Sequence, residues 1–101
     1  VIGGKEMTGK DRALLRRAAN TLEPILHIGK EGVTDAVVQQ AWEALEAREL
    51  IKGTVLPAAG MTPKEVVAIL CERTHAEPVQ CIGRRFTIYR MADTNSRYGI
   101  K

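Results

Sequence analysis

Residues 25–35 read ILHIGKEGVTD, which sets two glycines three apart around Lys30 and Glu31, just ahead of Thr34 and the helix-like run AVVQQAWEAL. These residue types at this spacing suit anion binding. Gly29 and Gly32 carry no Cβ, so another group can approach the backbone closely. Thr34 reads as a helix N-cap, and a helix N-terminus offers unpaired N–H groups and the positive end of its dipole to an anion such as phosphate. A plain strand-to-helix turn, in which glycine only supplies a positive φ, accounts for the same residues, and a four-residue glycine motif does not by itself decide between the two.

Other chemistries find less support. Cys71 and His75 are four apart on one helical face and, with His27 and Cys81, could be imagined as a zinc set. No CxxC or HxxxH pair anchors such a set, and Cys71 falls on an apolar stripe. The chain has no GxSxG, no P-loop and no carboxylate pair at a shared strand end. The expectation is a binding protein and not an enzyme, with no metal, cofactor or small-molecule substrate.

Charge is segregated along the chain. Residues 1–30 carry six Lys/Arg against three Asp/Glu, residues 31–77 four against eight, and residues 78–101 five against one, giving +3, −4 and +4. A fold that brings its ends together would set a cationic surface against an acidic one. The cationic set is Lys10, Arg12, Arg16, Arg17, Lys30, Arg84, Arg85 and Arg90. Solvated surface charge is the plain reading, but the segregation and the glycine loop together favour a polyanion such as RNA. Tyr89 offers either a ring for base stacking or a partly buried ring at a sheet margin. Trp42 reads as packing.

The elements that must position these groups follow from periodicity. Thr8–Leu22 is an amphipathic helix with Arg16, Arg17 and Asn20 outward, ended before Pro24. Ile25–Ile28 is a strand feeding the loop. A second helix over Asp35–Arg48 turns Val37, Val38, Ala41, Trp42 and Leu45 inward and Gln39, Glu43 and Glu46 outward. Leu50–Leu56 is a strand in which Gly53 marks a bulge or close packing. TPKE, residues 62–65, is a full capping box opening a third helix that buries Val66, Val67, Leu70 and Cys71. Glu77–Ile82 and Arg85–Arg90 are strands joined by Gly83-Arg84, which fits a type II′ hairpin. The order αβαβαββ predicts an α/β chain of the two-layer α+β type: one mixed four-stranded sheet packed by three helices. Strands joined through helices should run parallel, with the closing hairpin adding an antiparallel neighbour.

At 101 residues a single domain is expected, drawn as residues 7–92, with residues 1–6 as a leader or cloning remnant and 93–101 as a mobile polar tail. Two cysteines and no long apolar run predict a soluble chain in a reducing, cytoplasmic setting, without membrane contact.

MTGKDRALLRRAAN, ILHIGKEGVTDAVV, ALEARELIKGTV and VQCIGRRFTIYR, in that order over roughly residues 7–90, resemble the CRM domain (chloroplast RNA splicing and ribosome maturation), in its stand-alone bacterial form. The resemblance implies an RNA-binding domain similar in fold to the C-terminal domain of translation initiation factor three. It also implies association with large-subunit ribosomal RNA precursors in bacteria and with intron RNA in plant organelles. The family's GxxG loop is likened to the phosphate clamp of KH domains, so Gly29, Lys30, Glu31 and Gly32 inherit that role. A KH loop joins two helices whereas this one joins a strand to a helix, so the likeness is one of local chemistry. Within the matching ELIK run, Ile51 falls in the core and Lys52 becomes a phosphate contact. The implied partner is ribosomal RNA; the alternative is a basic ribosomal protein docked on Glu43, Glu46 and Glu49 of the second helix.

Overall fold

The computed structural model describes residues 9–90; the expected leader and polar tail, and Thr8 at the start of the first helix, lie outside them. The elements run α1 (Gly9–Ala19), β1 (Leu26–Ile28), α2 (Asp35–Arg48), β2 (Leu50–Val55), a 3-10 turn (Pro57–Ala59), α3 (Pro63–Thr74), β3 (Glu77–Ile82) and β4 (Arg85–Tyr89). No described helix is long and apolar enough to cross a membrane.

Caps fix the helix starts. Thr34 accepts from the Val37 amide at 3.2 Å and opens α2. Thr62 accepts from the Glu65 amide at 3.2 Å while the Glu65 carboxylate accepts from the Thr62 amide at 2.8 Å, completing the expected capping box with Pro63 in the first turn. Satisfying end amides in this way is worth about 1 kcal/mol per cap.

The sheet order is β1-β2-β4-β3. β1 and β2, joined through α2, are parallel; β4 is antiparallel to both β2 and β3. The closing strand therefore inserts between β2 and β3 and gains two antiparallel neighbours, not one. In the hairpin turn Gly83 takes φ 60° and Arg84 does not turn positive, as a type II′ turn requires.

Both sheet faces are covered in part. Leu26, Ile28, Ile51, Val55, Phe86 and Ile88 point to one face and pack with Ala41 and Leu45 of α2 and Val66, Val67 and Leu70 of α3. Gly53 lies in this layer: a Cβ there would sit 2.2 Å from Phe86 Cζ, so the glycine is a close-packing point for the aromatic ring. Leu50, Val79 and Tyr89 point to the other face, where Leu15 and Ala19 of α1 cover them. The layer of sheet, α2 and α3 thus gains a third, short layer from α1.

Candidate nucleic-acid interface

Three segments meet at the end of the sheet where β1 and β2 finish. β1 gives way to the glycine loop, and the Ile28 carbonyl accepts from the Leu56 amide at 2.9 Å, holding the chain beyond β2 beside that exit. The Val55 amide donates to the Arg84 carbonyl at 2.8 Å, which brings the β3–β4 turn to the same end. Adjacent strands lie about 4.8 Å apart, so the β1 exit and the β4 entry are separated by about 10 Å. Lys30, Arg84 and Arg85 are all exposed there, with Glu31 the exposed acid among them.

The loop is a closed turn, because the Gly32 amide donates to the Gly29 carbonyl at 2.9 Å. Its glycines are not equivalent. Gly32 has φ 71°, and a Cβ on it would lie 3.4 Å from Met61 Sδ, whereas Gly29 avoids positive φ and has open space where a Cβ would project. The closure corrects part of the sequence reading: the Gly32 N–H is already used and cannot meet a ligand. Thr34 takes the amides of Val37 and Val38, which leaves those of Asp35 and Ala36 without an intrahelical acceptor by position. The Asp35 carboxylate stands at the same helix end, paired with Arg73 at 3.2 Å, and weakens its pull on a second anion. At this end of the sheet, side-chain cations and the open backbone at Gly29 are therefore better placed for an anion than the α2 amides are.

The remaining predicted residues divide. Lys10, Arg16 and Arg17 are exposed on α1, while Arg12 is half-buried with its Nε shielded from solvent and unpaired among the described residues. Because α1 rests on Leu50, Val79 and Tyr89, it covers the half of that sheet face farther from the loop. Lys52 is half-buried and its Nζ donates to the Leu22 carbonyl at 3.2 Å, so it straps the α1–β1 connection to β2.

Tyr89 and Arg90 leave the candidate set. Tyr89 is 2% exposed beneath α1, and its hydroxyl donates to Glu49 Oε1 at 3.4 Å, so no base can reach the ring. Arg90 lies over the Trp42 ring at 4.3 Å from the centroid, donates to the Thr74 carbonyl at 3.0 Å and pairs with Glu46. It braces the C-terminus of α3 against α2, at the end of β4 away from the glycine loop. Trp42, expected to turn inward with Val37, Val38, Ala41 and Leu45, is instead 39% exposed and outside the core, where Arg90 lies over its ring and His75 meets it edge-on.

The acidic surface of α2 also shrinks. Glu49 is 1% exposed with φ 67°, its amide donating to the Leu45 carbonyl at 2.9 Å as the helix cap. Glu43 accepts from Gln39 at 2.9 Å, and Glu46 holds Arg90. Among the described residues no three His, Cys, Asp or Glu gather as metal ligands. Cys71 packs against the main core, and burial first, then Glu77 and Cys81, pushes its thiol up to about 12.

The matching CRS1/YhbY (CRM) domain model covers residues 7–90, and the chain belongs to this family. Among individual relatives, it is 38% identical over 91 residues to the probable RNA-binding protein YqeI of Bacillus subtilis, an alignment covering 90% of this chain and 95% of that one. A probable RNA-binding protein of Methanocaldococcus jannaschii is 32% identical, with 93% of this chain and 71% of that one covered. The solution structure of a hypothetical Staphylococcus aureus protein, described as a proposed RNA-binding protein, superposes with a TM-score of 0.78 at 36% identity, covering 95% of this chain and all of the other.

The sequence reading missed His27 as a surface group, because it weighed that residue only as a metal ligand. The signal was present in LHI, where a polar residue between two apolar ones must face away from the core.

Proposed function

We propose that this chain is a non-catalytic, cytoplasmic RNA-binding protein that contacts structured ribosomal RNA during assembly of the large subunit. The observation that carries the proposal is the gathering of Lys30, Arg84 and Arg85 around the Gly29–Gly32 turn at one end of the sheet. Exposed cations carried at the same end of strands about 10 Å apart match the charge of a polynucleotide backbone, and each phosphate they neutralise releases condensed counterions. The names of the relatives point to RNA, and the resemblance to stand-alone bacterial members directs the reading to ribosomal RNA.

In this mechanism Gly29 lets a phosphate approach the turn, Lys30 and the hairpin arginines hold it and its neighbour, and Lys10, Arg16 and Arg17 of α1 extend the field. Such contacts position the nucleic acid without reading its bases. The alternative, a protein-interaction module on the acidic side of α2, loses Glu49 to burial and Glu46 in part to Arg90. Sedimentation of a cell extract through sucrose, before and after RNase, tests the proposal. Co-migration with large-subunit precursors that is lost on RNase treatment is expected. Retention on a ribosomal protein after digestion would favour the acidic-face alternative.

A further inference from the structure

β1 buries Leu26 and Ile28 and exposes His27, so the imidazole projects from the sheet face opposite α2 and α3. The strand register pairs His27 with Thr54, Thr54 with Arg85, and Arg85 with Ile82. Residues directly opposite one another across strands share a face, so these four form one row across the whole sheet. α1 leaves this row open by seating on Leu50, Val79 and Tyr89 farther along the face. His27 and Arg85 are exposed, Thr54 is half-buried and Ile82 is 66% exposed. One end of the row adjoins the glycine loop, with Ile28 alone between His27 and Gly29; the other end adjoins the Gly83-Arg84 turn.

We propose that this row is a base platform for single-stranded RNA: a splayed base stacks on the His27 imidazole, and Arg85 holds the strand beside it. The platform rests on the RNA reading given above and specifies which form of RNA the site takes. A duplex keeps its base faces hidden and offers mainly phosphates and 2′-hydroxyls, whereas an unpaired strand presents π-faces to a ring or a guanidinium plane. An exposed isoleucine contributes nothing to phosphate binding, and the flat face of an imidazole suits a base, yet here both sit in line with cations that suit phosphates. Charge complementarity from Lys30, Arg84 and Arg85, and continuity with the turn, fit a nucleic acid strand better than a protein surface. The row also supplies the ring that burial removes from Tyr89. His27 and Arg85 are two strands apart, about 10 Å, so a base on the ring and a flanking phosphate at the arginine can be engaged together.

The test uses fluorescence anisotropy with a labelled single-stranded RNA of about ten nucleotides and an abasic oligomer of the same length, within the usual site size of such surfaces. The proteins are the full chain, His27→Ala and His27→Phe, each checked by its melting temperature. Removing one stacking ring should weaken binding to the RNA by about fivefold or more, leave the abasic oligomer's affinity unchanged, and be rescued by phenylalanine. Equal RNA affinity of His27→Ala and wild type would overturn the platform while leaving the phosphate reading intact. So would an equal loss on both oligomers. Failure of the wild type to bind either oligomer would also overturn the platform, while the reading of contact with structured ribosomal RNA stands or falls separately on the sedimentation with and without RNase.

Discussion

Exchanging each loop glycine for alanine separates the stability of the turn from its chemistry. At Gly32, φ 71° places an alanine in the left-handed region, a cost of roughly 1–2 kcal/mol. The 3.4 Å approach of the new Cβ to Met61 Sδ is an ordinary contact that adds little. The unfolded chain loses freedom on any Gly→Ala change, which offsets about 0.4–1 kcal/mol. The net destabilisation is then about 1 kcal/mol, or a fall in Tm of roughly 4–8 °C for a domain of this size. At Gly29 neither penalty applies, since φ is not positive and the Cβ meets open space, so Gly29→Ala should hold its Tm or gain slightly. Thermal melts followed by circular dichroism read both variants. RNA affinity should show the opposite pattern at matched folded fractions: a methyl at Gly29 stands where a phosphate would approach and weakens binding, while Gly32→Ala binds nearly as well as wild type. A melt lowered by Gly29→Ala and untouched by Gly32→Ala would refute the assignment of conformational need to Gly32 and of open approach to Gly29.

Further expectations concern the scaffold. Gly53→Ala drives a methyl into the Phe86 ring, with 2.2 Å to Cζ, and should destabilise by about 1–3 kcal/mol in a urea titration; an unchanged midpoint would contradict the close packing. Arg90→Ala removes the Trp42 stacking and the bond to the Thr74 carbonyl, and should cost about 2 kcal/mol of stability without altering RNA affinity per folded molecule. Because burial raises the Cys71 thiol to about 12 from its ordinary 9.0, the unfolded chain ionises first on the alkaline side. Stability from this group is then whole below pH 9 and declines as pH rises from 9 toward 12. Cys71→Ser, followed by urea melts across that range, should flatten the decline.

Local chemistry made much of this fold legible in advance. The capping box at Thr62, the bounds of α2, the extent of β3 and the Gly83 hairpin depend on residues within a few positions of one another, and the structure places them as read. Gly53 was legible as either a bulge or a packing glycine; what decides for packing is Phe86, which reaches it across the β2–β4 pairing. The failures share a long-range cause. Tyr89 is buried only because α1, about seventy positions earlier, covers the second sheet face. Glu49 looks like an outward helix residue until the chain turns at φ 67° into β2 and its carboxylate meets Tyr89. Arg90 reads as a free cation because no sequence pattern pairs it with Trp42 and Glu46 on α2. Within the candidate interface, Lys30 and the hairpin arginines were identifiable by charge. Their meeting at one end of the sheet came from the insertion of β4 beside β2, which periodicity does not encode.

The salt dependence of RNA affinity, compared between the wild type and the Lys30→Ala/Arg84→Ala/Arg85→Ala variant, tests the central claim most directly. Each phosphate contact on a single strand contributes about −0.7 to the slope of log K against log salt, so the variant's slope should be shallower by about 2. Put another way, these three cations alone account for a roughly 20-fold loss of affinity on a fourfold rise in salt. A variant that keeps the wild-type slope would show that the phosphates are held elsewhere, and would contradict the assignment of RNA binding to this end of the sheet.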